Sequence, residues 1–274
     1  MAEPSGKADS NHSRTQAMIL TFLGTGTSQG VPVITCGCEV CTSSDPRDKR
    51  LRTSALLSTD DGLNILFDVG PDFRQQMLLH HISHIDAILI THAHRDHVAG
   101  LDDIRAFNYA QQSALDIYLN TQAAQTLRRD YQYIFSPHDY PGLPEANLHI
   151  VDASTSDISI QSLSVTPIAA LHKDLPILGY RIGDFAYITD ANHIPPQEMA
   201  KLSNLKVLVL NALRPQHHWS HFSLPEALEL IEQIHPQQAY LTHISHEMGL
   251  HAKVSLQLPE SVHLAYDGLT LDIS

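Results

Sequence analysis

The stretch that decides the fold is Asp86-Ala-Ile-Leu-Ile-Thr-His-Ala-His-Arg-Asp-His-Val-Ala-Gly100. Its first part, Ala87 to Ile90, is a short apolar run that ends abruptly in polar residues, which predicts a buried strand. Four potential metal ligands follow within six residues: His92, His94, Asp96 and His97. Because side chains alternate along an extended backbone, His92 and His94 point to the same side, while Asp96 and His97 lie where the chain turns into a helix. The stretch therefore offers two adjacent half-sites for paired divalent ions.

A cluster of surface histidines is the alternative interpretation of this stretch, because the chain contains 19 histidines. A single His-x-His motif would favour that alternative. Four ligand residues directly after a buried strand favour a metal site instead.

Composition limits the classes of function. The chain has 274 residues, of which 43% are hydrophobic and 17% charged, and this is typical of a globular protein. Its formal net charge of −13 argues against broad nonspecific binding to nucleic acid or to anionic membranes. No apolar run is long enough to span a bilayer, and the polar residues 1–17 lack the apolar core of a signal peptide. We therefore expect a cytoplasmic protein.

The order of predicted elements indicates one α/β domain over residues 18–274. Strands and helices alternate in both halves of the chain around a β-rich middle, and two facing sheets with helices outside would satisfy this pattern. One predicted helix runs from Val98 to Ala110, and another begins in the capping box Ser223-Leu-Pro-Glu226. Residues 1–17 are interpreted as a disordered tail, an upstream start or a cloning remnant.

The motif His92-x-His94-x-Asp96-His97 resembles the signature of the metallo-β-lactamase fold superfamily, whose members are mostly binuclear metal hydrolases. The resemblance implies a four-layer αββα sandwich. Pattern alone does not choose this sandwich over other α/β folds.

Three later residues also follow apolar strands: His172, Asp190 and His243. Taken singly, each is more often a capping residue or a satisfied histidine than a ligand. Taken together, they supply what two ions still lack. The resemblance assigns the ligands to two sets, His92, His94, His172 and Asp190 for one ion, and Asp96, His97, His243 and a shared oxygen of Asp190 for the other.

Two further roles follow from the same resemblance. It implies that Asp96 and Asp190, both metal ligands, are also catalytic residues. Asp68, at the end of another predicted strand, accepts a hydrogen bond from a ligand imidazole and fixes its orientation. A simple turn aspartate is the alternative for Asp68.

The three cysteines, Cys36, Cys38 and Cys41, lie within six residues of one another. An odd, tightly clustered set is a poor disulfide framework. A redox Cys-x-x-Cys motif is the main alternative, but it leaves Cys36 without a role. A structural zinc site fits better, and His246, three residues after His243, is placed to complete a Cys₃His set.

The cysteines follow Gly24-Thr-Gly-Thr-Ser-Gln-Gly-Val-Pro32, and this combination, with His-x-x-His near the end, is similar to the phosphoribosyl 1,2-cyclic phosphate phosphodiesterase family of the carbon–phosphorus lyase pathway. The similarity spans residues 18–274. It implies hydrolysis of a small or cyclic phosphodiester by a hydroxide that bridges two manganese or zinc ions, one structural zinc, and a homodimer.

His221 matches the family's histidine that contacts the phosphate or protonates the leaving oxygen. His217 and His218 remain alternatives for the proton donor. The non-functional alternative for all three histidines is a solvated, histidine-rich loop.

A transfer-RNA 3′-end processing nuclease of the same superfamily is the rival function. Such an enzyme needs a long basic arm, and Arg47 to Arg52 is the only basic segment in the chain. We therefore expect a small-molecule diester as the partner, without a membrane or nucleic acid. A non-enzymatic metal-binding protein would lack a ligand, whereas every expected ligand is present.

Overall fold

The computed structural model describes residues 17–136, 140, 142–152, 154–155 and 157–273. The predicted tail lies outside these residues except for Ala17. The described strands are β1 (Met18–Gly24), β2 (Ser54–Thr59), β3 (Asn64–Phe67), β4 (Ala87–Leu89), β5 (Leu115–Leu119), β6 (Ala146–Ile150), β7 (Ile158–Ile160), β8 (Leu163–His172), β9 (Leu175–Ile182), β10 (Phe185–Ile188), β11 (Val207–Asn211), β12 (Gln238–Thr242), β13 (Val262–Leu264) and β14 (Thr270–Asp272).

The described helices are α1 (Phe73–Leu79), α2 (Arg95–Val98), α3 (Arg105–Gln111), α4 (Thr121–Asp130), α5 (Gln132–Phe135), α6 (Leu224–Ile234) and α7 (His251–Ser255). Short 3₁₀ helices occupy Pro46–Asp48, Leu101–Ile104, Pro196–Leu202 and His246–Met248. None of the described helices is long and apolar enough to cross a membrane.

The strands form two seven-stranded sheets with the same internal plan. The orders are β14-β1-β2-β3-β4-β5-β6 and β13-β12-β11-β10-β9-β8-β7. In each sheet, pairing is antiparallel on one side and parallel on the other, where β3 to β6 and β10 to β13 run in the same direction. The carboxyl ends of parallel strands meet at one edge, so the loops that follow them are brought together.

The core has one layer between the sheets and one outside each sheet. Phe67 of the first sheet stacks on Tyr187 of the second, with 4.5 Å between ring centroids. In β4, Ala87 and Leu89 face this central layer, whereas Ile88 packs toward the helices. Burial on both faces explains why the run is apolar throughout rather than alternating. The second sheet is covered on its outer face by α6, and the predicted αββα sandwich is confirmed.

The helix predicted from Val98 to Ala110 is interrupted, and this part of the prediction is wrong. The chain leaves α2 at Val98 and passes through a 3₁₀ turn before α3 begins. The amide of Gly100 donates to the carbonyl of Val69 at 2.9 Å, and a Cβ at Gly100 would lie 2.3 Å from the carbonyl oxygen of Gly70. A tertiary contact with the loop after β3 therefore breaks the helix at the glycine.

Candidate active site

The predicted ligands converge at one edge of the two sheets. Asp68 follows β3, the segment from His92 to His97 follows β4, and His172 ends β8. Asp190 and His243 follow β10 and β12. The fold therefore assembles the site from strands that are far apart in sequence.

Three of these residues have a left-handed backbone. The φ angles of Asp68, Asp190 and His243 are 60°, 63° and 57°. This region is uncommon for residues other than glycine, and buried non-glycine residues that adopt it cluster at functional sites. Here the turn bends the chain at the end of each strand and aims the side chain into the shared edge.

One group of ligands is compact. The metal-binding atoms of Asp96, His97, Asp190 and His243 all lie within 4.8 Å of one another. Nε2 of His97 is 3.3 Å from a carboxylate oxygen of Asp96 and 3.2 Å from Oδ2 of Asp190. Nε2 of His243 is 3.1 Å from Oδ1 of Asp190. These four residues are the set that the family resemblance assigned to the second ion.

A second group shares Asp190 with the first. The metal-binding atoms of His172, Asp190 and His221 lie within 4.8 Å of one another. The rings of His92 and His94 adjoin this group, with centroids 5.6 and 5.0 Å from that of His172. The structure thus places the four residues assigned to the first ion around one region and adds His221 to them.

The protons of three imidazoles are fixed by buried hydrogen bonds. Nδ1 of His97 donates to Asp68 at 2.7 Å, as predicted for that aspartate. Thr91 donates its hydroxyl to Asp68 at 2.9 Å, so Nδ1 of His92 donates to the Thr91 oxygen at 3.0 Å. Nδ1 of His172 donates to the carbonyls of Asp190 and Ser220, both at 2.8 Å. These bonds occupy Nδ1 and leave Nε2 of each imidazole turned toward the site.

The free nitrogens are the clearest indication of a metal. Nε2 of His92 is buried without a hydrogen-bond partner in the described residues, and Nε2 of His97 faces the carboxylates of Asp96 and Asp190. An orphaned buried acceptor is costly, and imidazole nitrogens opposite two carboxylates form the donor set of borderline divalent ions. The residues of this edge fit such ions, with Asp68 and Thr91 as the outer groups that orient the ligands.

The electrostatics of the edge favour bound positive charge. Burial opposes ionisation of Asp190, but the facing imidazoles of His243 and His97 lower the pKa of its carboxyl well below the usual range. Burial likewise opposes a charge on His97, but the carboxylates of Asp190, Asp96 and Asp68 raise its pKa well above 6.5. Burial lowers the pKa of His92, which keeps that imidazole neutral, as a ligand must be.

The three histidines of the loop before α6 have different positions. His221 is packed between ligands, with ring centroids 4.6 Å from His172 and 4.9 Å from His243. His217 is exposed and bonds Glu226 at 2.8 Å, away from the edge. His218 lies behind His221, 5.2 Å between centroids. Burial lowers the pKa of His221 to about 3, so its imidazole is neutral until an anionic group approaches it.

The cysteine cluster includes its predicted fourth member. The metal-binding atoms of Cys36, Cys38, Cys41 and His246 lie within 4.8 Å of one another. Nδ1 of His246 is 3.4 Å from the Cys36 sulfur and 3.3 Å from the Cys38 sulfur, and none of the three cysteines forms a disulfide. A hydrogen bond from the Cys41 amide and one from His246 lower the pKa of Cys38 to about 6. The set has the composition of a structural zinc site, and it includes Cys36, which a redox pair would leave out.

The two clusters are joined by the loop after β12 and by the glycine-rich turn after β1. The amide of Ile244 donates to the carbonyl of Thr25 at 2.9 Å, and the hydroxyl of Thr27 is 3.1 Å from Nε2 of His243. The glycine-rich turn therefore borders the site.

A cavity of about 260 Å³ opens beside His92 and His94. Its other side is formed by α4, which contributes Gln122, Thr126 and Arg129. Polar and charged side chains share the lining with the apolar residues Ala123, Leu175 and Pro176, and the cavity gives a small ligand access to His92 and His94.

Sequence reasoning missed several contributors. The contribution of Thr91 could have been predicted from the sequence, because this residue directly precedes His92 at the end of the strand. The carbonyl of Ser220 and the cavity wall on α4 could not, because only the folded chain brings them to the ligands.

Comparisons with known proteins agree with the geometry. The family model of the beta-lactamase superfamily domain matches residues 63–244. The crystal structure of a new diphosphatase from the PhnP family is similar to this chain, with 38% sequence identity and a TM-score of 0.86, over 94% of this chain and 98% of that one.

A curated relative is the octanoyltransferase of Porphyromonas gingivalis, 41% identical over 249 residues, which are 90% of this chain. The chain spans about half (50%) of the length of that relative. Zn²⁺-bound PqqB from Methylobacterium extorquens has a TM-score of 0.75 at 19% identity, over 93% of this chain and 99% of that one, which shows a shared fold.

Proposed function

Because this chain belongs to the beta-lactamase superfamily and, within it, to the PhnP family, we propose that it hydrolyses a small or cyclic phosphodiester at two divalent ions. We accordingly propose that it is a metal-dependent hydrolase. We propose further that the ions are two in number, that they are manganese or zinc, and that the substrate is a phosphodiester.

Asp190 carries this proposal, because its carboxylate belongs to both groups of ligands. One oxygen is 3.2 Å from His97, and the other is 3.1 Å from His243 and 3.7 Å from His221. A carboxylate with its two oxygens turned toward different neighbours suits a bridge between two ions. The ions, when bound, would supply activation of a water and neutralisation of phosphate charge.

The remaining roles fall to side chains of the chain. The ions would be held by Asp190 together with six further ligands, His92, His94, His172, Asp96, His97 and His243. Asp68 fixes the orientation of His97. The neutral imidazole of His221 faces the space beside them, where an anionic phosphate raises its proton affinity. We assign His221 the transfer of a proton to the leaving oxygen, a contribution typically worth about 10²–10⁴-fold.

The chemistry of the surroundings favours a small phosphorylated substrate. The rival transfer-RNA nuclease would have to bind a long nucleic acid, and a net charge of −13 disfavours such binding. The cavity beside His92 and His94 includes the side chain of Arg129, and its guanidinium group suits an anionic phosphate. The similar PhnP-family structure is that of a diphosphatase, and an esterified phosphorus in a diphosphate is bonded through oxygen to two groups, as in a phosphodiester.

For the second cluster we propose one structural zinc ion bound by Cys36, Cys38, Cys41 and His246. The ion would fix the long connection between β1 and β2 to the end of the active site.

The first test is a substrate panel assayed on metal-reconstituted protein whose metal content is measured in the same sample. It contains a nitrophenyl phosphodiester, ribose cyclic phosphate, 2′,3′-cyclic AMP, a dinucleoside diphosphate and a 3′-extended transfer RNA. We expect turnover of the small substrates that collapses in His94→Ala and weakens in His221→Ala. Cleavage of the RNA alone would favour the nuclease, and no turnover with both ions bound would contradict phosphodiester chemistry.

A further inference from the structure

Trp219 is the only tryptophan of the chain, and its side chain is 61% exposed. It directly precedes Ser220, whose carbonyl accepts the hydrogen bond from His172, and it lies two residues before His221. Isolated exposed apolar residues are common on protein surfaces. This one is unusual because a large aromatic ring is exposed at the rim of the ligand cluster.

The loop that carries Trp219 is held in place. Arg214 pairs with Glu247 at 2.6 Å, and His217 bonds Glu226 at 2.8 Å. The indole belongs to none of the apolar clusters that the described residues form. Its exposure is therefore built into an anchored loop and is not the result of a loose one.

A lysine accompanies the indole. Nζ of Lys173 lies over the indole ring, 4.6 Å from its centroid. Lys173 follows the ligand His172, has a left-handed backbone with φ 57°, and its amide donates to Asn192 at 2.7 Å. No carboxylate in the described part of the chain forms an ion pair with its ammonium group, so this charge remains available to an anion.

An indole and an ammonium group beside a phosphodiester site match the two parts of a nucleotide. Stacking of a base on an aromatic side chain is generally stronger than an exposed cation–π contact. A base can thus replace the lysine on the face of the indole, and the displaced ammonium group is then free to pair with phosphate.

We propose that Trp219 and Lys173 bind the leaving-group half of the substrate, and that this half is a flat aromatic ring linked to phosphate through a sugar, as in a nucleotide. The ring stacks on Trp219, and Lys173 pairs with the phosphate. This assignment rests on the proposed function, since His221 on the same loop is the donor to the leaving oxygen. In a substrate with a second, separate substituent on phosphorus, the cavity beside His92 and His94 would accommodate that substituent; a cyclic phosphodiester has none.

Binding is tested by the fluorescence of the single tryptophan, which requires no turnover. We expect AMP to quench this fluorescence in the metal-loaded protein, and ribose 5-phosphate, which lacks the base, to leave it unchanged. Lys173→Met should weaken AMP binding by about 5-fold or more, which corresponds to one charge-assisted contact of about 1 kcal/mol or more. Absence of quenching by AMP would overturn the assignment. Quenching that arises only from self-association of the protein at high concentration would overturn it as well.

Kinetics supply the second measurement. In Trp219→Ala, the KM for 2′,3′-cyclic AMP relative to that for ribose cyclic phosphate should rise by about 5- to 100-fold, and Trp219→Phe should restore most of the loss. Tyr109→Ala is the matched control, because Tyr109 on α3 is also 61% exposed but lines no part of this rim. An equal change for both substrates would contradict stacking.

The two proposals fail in different ways. Quenching by AMP without hydrolysis of any substrate would leave the nucleotide site standing and contradict phosphodiester hydrolysis. Hydrolysis with an unchanged KM ratio and no quenching would keep the proposed function and refute the role of Trp219.

Discussion

The two ligand groups that share Asp190, which together form the paired site, lie next to the cysteine cluster. The two regions are built in different ways. In the first, ligands leave the ends of packed strands, and His92, His97 and Asp190 are almost completely buried. In the second, three cysteines come from the long connection between β1 and β2, and Cys36 and Cys38 are only partly buried. The first site is positioned by the fold, whereas the second positions a loop that has a small apolar core of its own, centred on Val31, Val40 and Cys41.

This difference predicts opposite consequences of losing a ligand. Removal of a ligand at the strand ends should abolish chemistry and leave the fold in place, because β-sheets and core remain. Removal of a cysteine should loosen the connection and affect chemistry indirectly, through Thr27 and His243.

The largest expected effect is that of Asp190→Asn. The variant weakens a ligand shared by both groups and forfeits several kcal/mol of transition-state stabilisation, so kcat should fall by about 10³-fold or more. Metal content per chain, kcat and thermal unfolding are measured together. Asp184→Asn is the control, since Asp184 lies in the exposed turn before β10. Retention of both ions and of activity would refute the bridging role.

Asp68→Asn should have a smaller effect on the same site. Asp68 is not one of the proposed metal ligands, but it accepts the hydrogen bond that fixes the proton of His97, and it accepts two more from Thr91. Loss of such an outer partner typically costs about 10- to 100-fold in metal affinity. We expect activity to return at high metal concentration, which a merely structural defect would not allow. Unchanged metal affinity would show that Asp68 is only a turn residue.

Cys38→Ser should lower kcat only several-fold while changing the connection strongly. We expect loss of one zinc per chain and rapid proteolysis between β1 and β2, because local opening follows from removal of the cross-link. A mild chelator that extracts only the paired ions should leave this segment protected. Rapid cleavage in both samples would mean that the two clusters are not independent.

The sequence predicts those parts of the site whose signal is local. The segment from His92 to His97 was readable because an apolar run stops and ligand types follow at once. The turns at Asp68, Asp190 and His243 were not, because their left-handed backbones are held by distant strands. Likewise, no local pattern places Trp219 beside Lys173, or the carbonyl of Gly70 against Gly100 where the predicted helix is interrupted.

The two regions should also differ in how their carboxyl groups respond to pH. At the paired site, the imidazoles of His243 and His97 outweigh the burial of Asp190, so its lowered pKa stabilises the fold above about pH 4, and this stabilisation is lost as the pH falls further. Beneath the cysteine loop, Asp267 accepts hydrogen bonds from Leu51 and Thr25, beside the buried Arg50. Burial raises the pKa of Asp267 to about 6 despite these partners.

The smallest expected effect is therefore a change of slope in Asp267→Asn. A carboxyl whose pKa is higher in the folded than in the unfolded state binds more protons when folded, so the free energy of unfolding falls as the pH rises from about 4 to about 6. The substitution removes this titration and its share of the slope. Denaturant unfolding of both proteins at pH 4, 5 and 6 measures the difference. A difference that stays constant over this interval would mean that Asp267 is ionised throughout, and that its contacts with Leu51 and Thr25 outweigh its burial.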